Sequence, residues 1–176
     1  MKRFLAPVLT VILLSTGASA GIDPIPDCFG VYFDTEGNSV CMSVSPFTPT
    51  LAYLILMNPA GPTNGCEFSV TRTGAVHFVL STTCACAIAD GCTIEGNDYW
   101  IVCGSDFPVP ASGAVVLVTW MIMLMEPGEL LFYIGPSSIP SLPGGLPVVT
   151  GSGVLRQCSV ASGDVDIPVA GFNVDW

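Results

Sequence analysis

Short apolar runs separated by turn residues recur along the chain, and no segment sustains a helical period, so the pattern predicts strands throughout. The first run, 29–34, turns through Thr35-Glu36-Gly37-Asn38 into 39–44. A second run, 51–57, is punctuated by Asn58-Pro59 and the loop 61–65. In 66–71, Phe68 and Val70 alternate with Glu67, Ser69 and Thr71, and after Gly74 the run 75–80 alternates again. Residues 99–103 follow a cysteine-rich loop. The runs 115–125 and 130–134 flank Glu126-Pro127-Gly128-Glu129, which reads as a hairpin-like turn. Segment 136–147, rich in Pro, Ser and Gly, reads as a long surface crossover, and 148–150 with 154–160 close the pattern. Roughly nine or ten such strands predict an all-β fold, a two-sheet antiparallel β-sandwich of the Ig-like or jelly-roll type.

The run 115–125 breaks the alternation. Its even positions place Val116, Val118, Trp120, Ile122 and Leu124 on one face, and its odd positions place Thr119, Met121, Met123 and Met125 on the other. One face packs the core, and the second is still apolar. The expected cover for it is the crossover 136–147. The sharper reading is a contact surface in which Met121, Met123 and Met125, adaptable side chains, meet a protein partner or a second copy.

Residues 1–20 stand apart. Met1-Lys2-Arg3 is a basic start, 4–14 an apolar stretch and Ala18-Ser19-Ala20 a small-residue cleavage site, the pattern of a secretory signal peptide. The apolar stretch is about half of a membrane span, and no transmembrane segment is expected once it is removed. The expected organisation is a leader, 1–20, and one β-sandwich domain, 21–176, exported to the extracellular space or periplasm. Charge then narrows the partners. Without the leader, Arg72 and Arg156 face all 14 acidic side chains, too few cations to neutralise a phosphate backbone, so nucleic acid is excluded as a partner.

Eight cysteines, Cys28, Cys41, Cys66, Cys84, Cys86, Cys92, Cys103 and Cys158, follow the leader. An oxidising compartment lets disulfides persist, and an even count favours four bridges over a thiolate metal site, which usually shows paired Cys-x-x-Cys spacing. Connectivity is not fixed by sequence; the short spacing favours Cys86 with Cys92, leaving Cys84 to reach another strand.

Three stretches carry a resemblance: Phe29-Gly30-Val31-Tyr32-Phe33-Asp34; Ala52-Tyr53-Leu54-Ile55-Leu56-Met57-Asn58-Pro59 followed by Gly65-Cys66-Glu67-Phe68; and Tyr133-Ile134-Gly135-Pro136-Ser137-Ser138-Ile139-Pro140. They resemble a family of uncharacterised secreted proteins of deep-branching environmental bacteria, which end near a motif similar to Pro168-Val169-Ala170-Gly171-Phe172-Asn173. That resemblance implies no activity and no functional residue. The order of strand, Asn-Pro turn and Gly-x-x-Phe strand is similar to cohesin-like and carbohydrate-binding jelly-roll sandwiches, an architectural likeness.

Catalytic chemistry is thin. The single histidine, His77, lies on 75–80 with no Gly-x-Ser-x-Gly or His-Glu-x-x-His context. Acidic pairs (Asp34 and Glu36, Asp90 and Glu95, Glu126 and Glu129, Asp164 and Asp166) fall in turns, where solvation explains them. Asp34, Glu36 and Asn38 could offer oxygens to calcium but lack the loop length of an EF-hand; no other cofactor is implied. Tyr99, Trp100, Trp120 and Trp176 could stack sugars if exposed and coplanar. The sequence therefore points to a secreted, non-catalytic interaction or structural module rather than an enzyme, the alternative being a carbohydrate-binding module. Intact-mass analysis of exported material is expected to show a chain beginning at Gly21; retention of Met1 would overturn the leader assignment.

Overall fold

The computed structural model describes residues 23–86 and 91–176, and every regular element within them is a strand. The expected leader, 1–20, and its cleavage site lie outside the described residues. Thirteen strands follow in order: β1 Cys28–Tyr32, β2 Cys41–Met42, β3 Thr50–Met57, β4 Gly65–Gly74, β5 His77–Cys84, β6 Cys92–Glu95, β7 Asp98–Val102, β8 Ala114–Leu124, β9 Leu130–Gly135, β10 Val148–Gly151, β11 Val154–Gln157, β12 Ser159–Val160 and β13 Ala170–Phe172. They form two sheets. Sheet A runs β12-β1-β3-β8-β5; in sheet B, β4 has β7 and then β6 on one side, and on the other both β9, which leads to β13 and β2, and β10, which leads to β11. The ladders are antiparallel except for two short parallel pairs, β1 with β12 and β13 with β2. The expected sandwich is present, with more strands because the run 154–160 splits between the two sheets as β11 and β12, and because β6 and β13 lie outside the expected runs.

Rings from both sheets fill the space between them. Phe29 of β1 meets Phe68 of β4 at 5.4 Å between centroids, and Phe68 stacks on Tyr99 of β7 at 5.1 Å. Trp120 of β8 meets Tyr99 edge-on at 6.0 Å, and its indole N–H donates to the Tyr99 hydroxyl at 3.0 Å. Arg72 of β4 lays its guanidinium over the same indole, 5.6 Å from the ring centre, so one of the two arginines among the described residues serves the core. At the other end Phe33 packs on Phe132 and Phe172.

Sidedness in β8 departs from strict alternation. The register with β3 skips Leu117, a bulge, so Val115 and Leu117 point inward before it and Val118, Trp120, Ile122 and Leu124 after it. Val116, expected to share the core face with Val118, is instead turned to the outer face.

The expected turn at 35–38 and the expected hairpin-like turn at 126–129 are both sheet-changing corners. The chain leaves β1 in sheet A and enters β2 in sheet B, and the Glu126-Pro127-Gly128-Glu129 turn carries β8 of sheet A to β9 of sheet B. A third corner, Gly74-Ala75-Val76, crosses the opposite way. It lies against 125–129: Ala75 N–H donates to Glu129 O, Met125 N–H to Val76 O and Val76 N–H to the Glu126 carboxylate. Gly74 has φ +115°, and any side chain there would run into the Glu129 carbonyl. Turn residues announce a reversal but not which sheet receives the next strand, hence the misreading.

Segment 136–147 is not a crossover. Ser69 pairs with both Asp98 of β7 and Gly135 of β9, and Glu67 with both Trp100 of β7 and Val148 of β10. Strands β9 and β10 therefore lie on the same side of β4, two collinear halves of one strand, and 136–147 is an excursion between them. Replacing Tyr99 with Phe leaves the buried Trp120 N–H without its acceptor and is expected to cost about 1–3 kcal/mol. Urea unfolding of the variant checks this; no loss of stability would mean that the bond is not carrying the inter-sheet contact.

Candidate functional site

The outer face of sheet A divides in two. Toward β1, the side chains of Cys28, Tyr32, Ile55, Met57 and Ala114 form a second buried cluster, with Val40, Val116 and Ala161 packed against it. Toward β5 the covering stops. Cross-strand neighbours there are Leu51, Met121 and Ser81 in one row, Tyr53, Thr119 and Thr83 in the next, and Phe78 beside Met123 at the edge. Leu51 is 41% exposed, Met121 37% and Phe78 55%, while Tyr53 and Met123 are half-buried. The strands β3, β5 and β8 contain no Asp, Glu, Lys or Arg, so this open surface is uncharged in an acidic chain.

The structure brings Met121 and Met123 onto this face, whereas Met125 lies past the strand end, half-buried at the corner. The expected cover is elsewhere. Ser138 donates N–H and hydroxyl to Asp98 of β7, and Ser141 donates N–H and hydroxyl to Glu67 of β4, so 136–147 is fastened to the outer face of sheet B. Two carboxylates on an outward sheet face caught serines, and nothing on β8 could hold the excursion. Phe78 and Leu51 were missed because each lies in a run read only for its strand period; the absence of charge from all three runs was the signal available.

The other candidate groups are separated. Tyr99 and Trp120 are core residues, Trp100 is half-buried on sheet B, and Trp176 is exposed at the chain end, so the four do not form one platform. Asp34, Glu36 and Asn38 do share a turn, but the Asp34 carboxylate accepts N–H bonds from Glu36 at 2.8 Å and from Asn38 at 3.1 Å. Its charge is spent on closing the loop. Among the described residues, no group of three or more His, Cys, Asp or Glu side chains is arranged to hold a metal ion. His77 Nδ1 pairs with the Ala75 carbonyl at 2.9 Å. Glu126 and Asp164 accept backbone N–H groups, and Asp90 lies outside the described residues.

Two bridges form, not four, and with a different pairing. Cys84 bonds Cys92 and Cys86 bonds Cys103, with Cα separations of 6.3 and 5.8 Å. Cys84, opposite Val118, faces inward from the edge of sheet A onto β6 at the edge of sheet B; Cys86, beyond the strand end, meets the end of β7. The expected Cys86–Cys92 closure is thereby corrected, since β6 starts beside Cys84. Both bridges staple the two sheets along the side where β5 is exposed, each contributing about 2–4 kcal/mol by the usual loop-closure argument.

Cys28, Cys41, Cys66 and Cys158 are unpaired; Cys41 is exposed and the other three are buried. Burial, reinforced by a 2.8 Å hydrogen bond donated to the Asp23 carboxylate, pushes the Cys28 thiol up to about 12. Burial also pushes Cys66 and Cys158 well above the ordinary thiol range. These are inert protonated side chains rather than nucleophiles or metal-binding thiolates.

A polar joint went unnoticed in the sequence. Arg156 of β11 donates from Nε and Nη2 to the Asp27 carboxylate at 2.8 and 3.2 Å and from Nη2 to Thr63 Oγ1 at 2.7 Å, and Asp27 also accepts the Ala60 N–H. The residues are far apart in sequence, and only the fold brings them together.

No family model and no curated protein matches this chain. Among solved structures, the sixth cohesin of Acetivibrio cellulolyticus scaffoldin B, determined in complex with a Cel5 dockerin, is similar, with a TM-score of 0.50 at 12% identity over 84% of this chain and 99% of that one. A cohesin module of a Clostridium perfringens family 33 glycoside hydrolase aligns with a TM-score of 0.45 at 11% identity, over 75% of this chain and 90% of that one. The first likeness establishes a cohesin-like jelly-roll sandwich. The sequence resemblance to such sandwiches therefore holds at the level of fold.

The buried thiols make stability pH-dependent. Cys28 keeps its proton in the fold to about 12 while an unfolded thiol releases it near 9.0, so its contribution is full below the lower value and is lost as pH rises toward the upper one. The denaturation midpoint is expected to fall above pH 9.0, and less steeply in Cys28→Ser, which keeps a donor for Asp23 but does not titrate. Identical slopes for the two proteins would overturn the assignment.

Proposed function

We propose that the chain is a secreted, non-catalytic protein-interaction module of the cell surface or extracellular space, and that it grips its partner with the outer face of β3, β8 and β5. The uncharged, partly open row of Leu51, Met121, Met123 and Phe78 carries this reading. An uncharged apolar patch open to water on a strongly acidic chain is suited to contact with another protein. Methionine suits a contact surface because its unbranched side chain adapts to the shape it meets. Support comes from two further directions. The disulfides fit an oxidising compartment and the leader-like start of the chain. The similar cohesin was solved with a dockerin bound, so a sandwich of this shape can serve as a protein receptor. Among the described residues, no helix is long and apolar enough to cross a membrane.

Capture from the producing organism's exported proteins, followed by titration of the purified partner, tests the reading. Replacing Met121 and Met123 with Gln is expected to weaken binding by tenfold or more, about 1.4 kcal/mol, with the thermal midpoint little changed. Destabilisation of the free protein by about 2–5 kcal/mol would assign these side chains to the core instead. Binding of a polysaccharide that survives both replacements would move the function to the sugar-binding alternative.

A further inference from the structure

The two sheets present five edge strands among the described residues, and four of them are guarded. Strands β2 and β12 are two residues long, β11 carries Arg156, and β6 carries Glu95. Shortness and charge are the usual ways of keeping a free edge from pairing with another chain. The fifth edge, β5, is eight residues long, pairs only with β8, and contains no Pro, Gly or formally charged residue. Its side chains from Phe78 to Thr83 are all exposed, with Phe78, Val79 and Leu80 contiguous and apolar.

We propose that this edge pairs with the same edge of a second copy of the chain, extending sheet A antiparallel across a two-fold axis near Val79. Charge selects this occupant. Arg72 lies over Trp120 and Arg156 is held by Asp27, so among the described residues no free cation is left to offset the carboxylates of a second copy wherever they face each other. At β5 both surfaces are neutral. The two-fold arrangement sets Phe78 of one copy against Leu80 of the other, and each copy's unpaired backbone N–H and C=O groups find partners in the other. A bulge leaves Leu80 without a mate on β8, so pairing across the axis forms on a locally bent edge. The edge borders the face of Met121 and Met123 and shares Phe78 with it, so substitutions that spare Phe78 test the two contacts apart.

Light scattering and sedimentation over a dilution series of the full exported chain read the outcome. The wild type is expected to show twice the monomer mass, dissociating on dilution, and Val79→Lys with Leu80→Lys is expected to stay monomeric with an unchanged thermal midpoint. Met121→Gln with Met123→Gln is expected to remain dimeric, which separates this contact from the partner face. If the lysine variant fails to fold, hydrogen exchange on the wild type decides: the β5 amides are expected to slow as concentration rises. A wild type that is monomeric throughout, a folded lysine variant that still dimerises, or β5 amides indifferent to concentration would each overturn the proposal. Loss of the dimer in the methionine variant alone would place self-association on the face.

Discussion

Everything in this fold depends on rings from two sheets meeting between them. Phe29, Phe68, Tyr99 and Trp120 form a continuous file from sheet A to sheet B and back, closed by the indole hydrogen bond to the Tyr99 hydroxyl. Such contacts require the two sheets to be held at a fixed spacing, and the corners at 74–76 and 125–129 do this by bonding to each other where the chain changes layers. The rings do not reach β5. There the side chains open to water, and the two disulfides take over the task of joining the sheets. The molecule thus has a packed end and a stapled end, and its uncharged open surface lies at the stapled one.

The fold class was legible because alternation and turn residues act locally. The runs that became β8 and β9 were located nearly to the residue, since both are long and bounded by Pro and Gly. What the sequence could not reveal is long-range. Whether Glu126-Pro127-Gly128-Glu129 closes a hairpin or turns a corner depends on which partner strand awaits, and that strand, β4, pairs its Gly74 with Leu130 from far upstream. The bulge at Leu117 is similarly silent, yet it reverses the facing of Val116. Of the candidate surface, Met121 and Met123 were visible as a failure of alternation, whereas Phe78 and Leu51 join them only through cross-strand register.

Several of the titratable groups are committed to holding the chain together. Asp27 ties the start of β1 to the Asn58-Pro59 turn and to β11 through Arg156; Asp23 receives a buried thiol; Asp34 closes its own turn; Glu67 and Asp98 hold serines. Each of these carboxylates replaces water with a specific donor, which fixes a loop at the cost of its availability to a substrate or ion. In most folds of this size an open polar cleft invites a catalytic reading. Here the carboxylates without such a bond, Glu36, Glu95 and Asp106 among them, are not gathered into a group of three or more among the described residues, whereas the apolar positions of β3, β8 and β5 are cross-strand neighbours.

The interruption between β9 and β10 has an evolutionary meaning. Because both halves of that strand pair with β4 on their own, the register of sheet B is set before and after 136–147 and does not depend on how many residues the excursion contains. The entropy of closing a longer loop rises only with the logarithm of its length. The excursion is therefore a natural insertion point, a place where related chains can differ in length, or where a foreign peptide can be spliced for display, while the sandwich around it keeps its pairing.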